Sequence, residues 1–138
     1  MQPAKLDKLT AMAHEQGRPF RILIVDDERW VREVFRDYCA LTKVFEIDLA
    51  HSGEEAIRMA AAQTYDLITM DLIMPETSGL EALGAIKRAN PKTPVMVVTG
   101  NATDKLVHEA GVQGASGVMY KPILLEDFIS ALVDRLER

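Results

Sequence analysis

Three aspartates, a threonine and a lysine sit at the ends of short apolar runs. Asp26-Asp27 follow Ile22-Leu23-Ile24-Val25, and Asp71 follows Leu67-Ile68-Thr69-Met70. Thr99 follows Val95-Met96-Val97-Val98, and Lys121-Pro122 follow Gly117-Val118-Met119-Tyr120. If the runs are strands of an open α/β sheet, their carboxyl ends share the edge where such sheets bind ligands. Three carboxylates a few Å apart repel one another, and burial sharpens the repulsion. The cluster needs a cation, and an all-oxygen donor set selects a hard one such as Mg²⁺. Lys121 adds a second positive charge able to pair with a carboxylate or a phosphoryl oxygen. A metal, an ammonium and a hydroxyl around one carboxylate are what in-line phosphoryl transfer onto that carboxylate requires.

These groups meet only if the intervening chain returns each run to the same end of a sheet. The four runs lack alternation, which suits strands buried on both faces. Phe45-Glu46-Ile47-Asp48-Leu49-Ala50 alternates strictly, as an edge strand does. Between the runs lie helical patterns. Trp30, Val31, Val34, Phe35, Tyr38 and Leu41 recur at spacings of three and four and form one apolar face. Glu54 to Ala62 is rich in helix formers, with Ser52 placed to cap it. Leu80, Leu83, Ile86 and Lys87 keep the period until Asn90-Pro91 ends it. Thr103 to Ala110 predicts a shorter helix closed near Gly111, and Leu124 to Leu136 predicts the last. The order is β-α five times, which implies a parallel sheet with helices on both faces and right-handed crossovers. No internal repeat or low-complexity segment interrupts it.

The first twenty residues stand outside this alternation. Leu6, Leu9, Met12 and Ala13 are spaced for a short amphipathic helix, stopped by Gly17 and Pro19. Two readings stay open: a loosely ordered extension, common at termini, and a helix that docks on the domain or on a second copy. The chain thus divides into an N-terminal extension, 1–20, and a domain, 21–138.

Composition narrows the classes. At 138 residues, 48% hydrophobic and 27% charged, the chain is long enough for one domain whose core needs no disulfide or metal staple. The formal net charge of −5, from 16 Lys+Arg against 21 Asp+Glu, gives no basic face for nucleic acid, so none is expected as a partner. Cys39 is the single cysteine, which excludes an intramolecular disulfide and a cysteine-rich zinc cluster. It falls in the first predicted helix and is expected to be buried as a small hydrophobe. No apolar run approaches the ~20 residues of a membrane span, and the N-terminus lacks the apolar core of a signal peptide. A cytoplasmic protein with no membrane partner is the expectation. His14, His51 and His108 are scattered over different elements, and no glycine-rich turn follows the first strand, which excludes a dinucleotide fingerprint. Trp30 is expected in the core, with the rim of the acidic pocket as the alternative.

Each motif also has an ordinary structural use. Asp26-Asp27 suit the N-terminus of a helix, and Asp71 suits a turn before Met74-Pro75. Thr99 is a common strand closer, and Lys121 suits a solvated strand end. All four would have to be coincidental together.

Taken together, these residues resemble the receiver domain of the two-component response-regulator family. The marks are Asp26-Asp27, Asp71-Leu72-Ile73-Met74-Pro75 with Gly79, Thr99, and Gly114-Ala115 leading to Lys121-Pro122. The likeness runs from about Arg21 to Arg138. It implies a flavodoxin-like (βα)₅ doubly wound parallel sheet with strand order 2-1-3-4-5. It implies that Asp71 is the phosphoacceptor, supplied by a phosphohistidine on a sensor histidine kinase or a histidine phosphotransfer protein. Asp26, Asp27, Asp71 and the backbone carbonyl of Ile73 would hold Mg²⁺. Thr99 would bond the phosphoryl group and move inward with the loop after strand four. Lys121 would pair with Asp71 before transfer and with a phosphoryl oxygen after it, across a cis bond to Pro122.

The sequence also departs from the family. The strand-five position that is often aromatic is Val118, while Tyr120, two residues on, points to the same side. Ile73 and Asn101 occupy positions that tune hydrolysis in receivers. Ile73 has no polar group to orient water, so a long-lived phosphoryl-aspartate is expected. The resulting expectation is a switch rather than an enzyme. Phosphorylation would shift the face built by the fourth helix of the repeat, the fifth strand and the fifth helix, read by a downstream protein or in a self-dimer. No output domain is expected after the last helix, so the chain is either a stand-alone receiver or a piece of a longer protein. The alternatives are a phosphorylation-independent receiver-like scaffold and a Mg²⁺-dependent phosphatase or phosphotransferase. Against the last, Ile73 stands where such phosphohydrolases carry a second aspartate.

Overall fold

A computed structural model describes residues 3–137, with side chains from Leu6 onward. The elements are α1 (Pro3–Gln16), β1 (Phe20–Val25), α2 (Arg29–Ala40), β2 (Phe45–Ala50), α3 (Gly53–Ala62) and β3 (Leu67–Met70). They continue with α4 (Gly79–Ala89), β4 (Val95–Thr99), α5 (Asp104–Val112), β5 (Gly117–Tyr120) and α6 (Leu125–Leu136). All neighbouring strands pair in parallel, in the order β2-β1-β3-β4-β5. With α1 counted, the fourth and fifth helices of the repeat are α5 and α6.

Alternation along each strand feeds two cores. Phe20, Ile22 and Ile24 of β1, with Met96 and Val98 of β4, face Val31, Phe35 and Cys39 of α2 and Phe128, Ile129 and Leu132 of α6. Leu23, Val25, Ile68, Met70, Val95 and Val97 face Ala56, Leu83, Ile86 and Ala110 of α3, α4 and α5. Every residue of β3 and β4 is buried, which is why these runs are apolar without alternation. The expectation of two buried faces is met only in part by Gly117–Tyr120: Met119 and Val118 pack half-buried on opposite layers. This run is the edge strand β5, bonded among the described residues only to β4, and Tyr120 is 54% exposed. At the other edge, Phe45, Ile47 and Leu49 of β2 pack on the α2–α6 layer. Asp48 points the other way and accepts the Tyr65 hydroxyl at 2.6 Å.

α3, α4 and α5 start where a side chain satisfies one of their free amides. Ser52, Ser78 and Thr103 accept from Glu55, Glu81 and Leu106 respectively. Lys87, read as part of an apolar period, instead donates to the carbonyls of Pro91 and Thr93 beyond the end of α4. On α2 the buried stripe is Val31, Phe35 and Cys39, and the Phe35 ring stacks on Phe128 of α6 at 4.4 Å. Two residues assigned to that stripe lie outside it. Leu41 is the C-terminal cap and 67% exposed. Trp30 is 64% exposed, because it precedes Val31 by one residue and so points about 100° away from the stripe.

α1 ends at Gly17, whose φ of +75° is left-handed backbone that glycine adopts without a steric penalty. Leu9 is fully buried, and Leu6, Met12 and Ala13 pack against the α2–α6 core. Just beyond, Arg18 reaches Asp66 through both terminal nitrogens, at 2.8 and 3.1 Å.

Candidate functional site

The sheet's hydrogen-bond ladder continues one residue past three of the strands. Asp26 N bonds Ala50 O, Asp71 N bonds Val25 O, and Lys121 N bonds Thr99 O. The register therefore sets Asp26, Asp71, Thr99 and Lys121 side by side at the carboxyl edge. The Lys121-Pro122 bond is cis, as expected.

The side chains converge. Lys121 Nζ lies 2.5 Å from Asp26 Oδ2 and 3.1 Å from Asp71 Oδ2. Asp71 Oδ1 accepts from Thr99 Oγ1 at 3.1 Å and from the Ile73 amide at 3.0 Å. Asp26, Asp71 and Thr99 are buried, whereas Asp27 is exposed. Carboxylate oxygens of Asp26, Asp27 and Asp71 lie within 4.8 Å of one another, and this group can hold a metal ion. Ile73 brings its amide to Asp71, and the residue is 49% exposed.

Electrostatics follows from burial. Desolvation raises the Asp26 carboxyl above the usual carboxylate range, against the opposing pull of hydrogen bonds from Lys121 and the Glu28 amide. Burial works to lower the Lys121 amine, but the hydrogen bonds and charges of Asp26 and Asp71 outweigh it and leave the amine raised. The ammonium is thus held charged between two carboxylates.

Close packing shapes the loop after Asp71. A Cβ at Gly79 would lie 1.9 Å from the Asp71 carbonyl oxygen and 2.6 Å from Leu72 Cα, so only glycine lets α4 start there. Trp30 stands at the rim rather than in the core, its indole donating to Glu28 Oε2 at 2.9 Å. Beside it a cavity of about 140 Å³ is lined by Val31, Val34, Phe35, Tyr38, Lys121 and Pro122 among others.

One neighbour was not foreseen. Arg32 Nη1 donates to the Asp26 carbonyl at 2.7 Å. Its only signal in the sequence is an arginine on the first turn of a helix, where the helix dipole disfavours a cation.

A parallel 2-1-3-4-5 sheet with an acidic cluster and a lysine at its carboxyl edge defines a CheY-like, flavodoxin-fold receiver. Comparison with known proteins agrees: the response regulator receiver domain family matches residues 22–133, and the chain belongs to that family. It is 34% identical over 120 residues to the response regulator MprA of Mycobacterium tuberculosis, covering 86% of this chain and 51% of MprA. The chain therefore spans about half the length of the curated relatives it matches. Among solved structures it is similar to the chemotaxis protein CheY4 of Vibrio cholerae, with 26% identity and a TM-score of 0.79. That match covers 86% of this chain and 99% of CheY4. It is also similar to a Burkholderia pseudomallei response regulator solved with a phosphorylated aspartic acid and a calcium ion. There the identity is 26% and the TM-score 0.75, over 82% of this chain and 66% of the other. No helix among the described residues is long and apolar enough to cross a membrane.

Proposed function

We propose that Asp71 accepts a phosphoryl group from a phosphohistidine on a sensor histidine kinase or phosphotransfer protein. The carrying observation is the contact set of Asp71, a buried carboxylate with Thr99 and the Ile73 amide on one oxygen and Lys121 on the other. An oxygen of Asp71 attacks phosphorus, the P–N bond breaks, and its electron pair returns to the imidazole, which takes up a proton. Thr99 Oγ1 and Lys121 Nζ, now spent on Asp71, are placed to turn to the oxygens of the incoming group.

The oxygen donors of Asp26, Asp27 and Asp71 suit Mg²⁺, with the Ile73 carbonyl as a further ligand carried over from the family. When bound, Mg²⁺ supplies charge neutralisation for the carboxylates and the transferring group. The aspartyl phosphate of the Burkholderia relative supports the same chemistry here. Loading of Asp71 then biases the loop after β4 and the α5–β5–α6 face, read by a downstream protein or a second copy. We read residues 21–138 as the receiver, working in the cytoplasm, with α1 as an added element. The expected lack of nucleic-acid contact concerns the surface charge of these 138 residues alone.

The test is incubation with acetyl phosphate and Mg²⁺, followed by intact mass. One added phosphoryl group, lost in Asp71→Asn, supports the proposal. Continuous turnover of donor would indicate a phosphatase, and no uptake would indicate a scaffold.

A further inference from the structure

Asp26 is held at every polar group it carries. Its amide donates to the Ala50 carbonyl at 3.1 Å, and its Oδ1 accepts from the Glu28 amide at 3.0 Å. Its Oδ2 accepts from Lys121 at 2.5 Å, and its carbonyl accepts from Arg32 Nη1 at 2.7 Å. The first three contacts come from the strand ladder, the turn into α2 and the end of β5. The fourth is made by a side chain whose position otherwise counts against it.

α2 has no acidic residue in its first turn. A cation there opposes the positive end of the helix dipole. Arg29 is offset by Glu33, four residues on, at 2.9 Å. Arg32 is offset by the backbone carbonyl that closes β1. A guanidinium in this place also works against any cation drawn to Asp26, Asp27 and Asp71. Coulomb's law alone therefore says that losing Arg32 tightens metal binding.

We propose that Arg32 is a positioning residue for the metal cluster. It ties the end of β1 to α2 and fixes the Asp26 backbone, so that the carboxylate stays aimed beside those of Asp27 and Asp71. The alignment outweighs the repulsion. This rests on the reading that the acidic cluster takes Mg²⁺.

The test compares Arg32→Met, which keeps an apolar stem without charge or donors, with Arg32→Lys, which keeps the charge and one reachable donor. Mg²⁺ is titrated by calorimetry, and melting is followed in EDTA. Arg32→Met should weaken Mg²⁺ about tenfold, as loss of a hydrogen bond that orients a metal ligand does, and Arg32→Lys should regain most of it. Tighter or unchanged binding in Arg32→Met overturns the proposal, as does an equal loss in both variants that tracks a common fall in melting temperature. A wild-type protein that takes no Mg²⁺ overturns the reading of the cluster and this proposal with it, whereas a wild type that binds beside variants that bind equally well overturns the proposal alone.

Discussion

Lys121 approaches Asp26 more closely than Asp71, at 2.5 Å against 3.1 Å. The ammonium therefore does more than mark the acceptor. It neutralises a carboxylate that burial penalises, and it sets one positive charge between Asp26 and Asp71.

Removing that charge gives the first prediction. Lys121→Met leaves two buried carboxylates unopposed, and breaking such a pair costs about 3 kcal/mol. In EDTA the variant should melt well below wild type. Mg²⁺ should raise its melting temperature more than it raises the wild type's, because the ion then supplies the missing charge. Equal Mg²⁺ shifts in scanning calorimetry would contradict this.

Ile73 leads to a kinetic prediction. The residue, two positions beyond Asp71, is 49% exposed, and its side chain offers no group to orient a water. The phosphorylated protein, freed of donor, should lose its label slowly, and Ile73→Gln should shorten the half-life several-fold. A wild type that loses the label as fast as the variant would remove this role for Ile73.

α1 should be needed for stability. Leu9 is fully buried in the same core as Phe20, Cys39 and Leu136. Leu9→Ala should cost about 3 kcal/mol in urea unfolding, within the range for a buried leucine. A cost under about 1 kcal/mol, the size of a surface change, would mean that α1 is not part of the cooperative unit.

Cys39 reports on the same core through pH. Burial pushes its thiol from an ordinary 9.0 up to about 12. A folded value above the unfolded one means that the contribution to stability is complete below pH 9 and is lost as pH rises towards 12. The loss is about 1.4 kcal/mol per pH unit in that window. The stability difference between wild type and Cys39→Ala should therefore shrink between pH 8 and pH 10. The folded thiol should also resist alkylation at pH 8 until denaturant is added.

Sheet order and edge chemistry were legible because both rest on chain-local signals. Doubly buried strands read as unbroken apolar runs, and the residue after each run must lie at the same edge of a parallel sheet. Exposure at the margins was less legible. Gly117–Tyr120 resembles a central strand because Val118 and Met119 face helices on both sides, yet no strand among the described residues pairs with its outer edge. Trp30 is apolar enough for the core, but one position of helical phase turns it outward to Glu28. Arg32 could not be found from side-chain types, because its partner is a backbone carbonyl. α1 stayed open because whether Leu9 is buried depends on residues such as Phe20 and Leu136 that meet it only in the folded chain.

The most direct test of the account is to locate the acyl phosphate. The protein is loaded with acetyl phosphate and Mg²⁺, reduced with borohydride, which converts an aspartyl phosphate to homoserine, and mapped by peptide mass spectrometry. Homoserine at position 71 alone is the predicted result. Homoserine at position 26 or 27, or at none of the three, would contradict it.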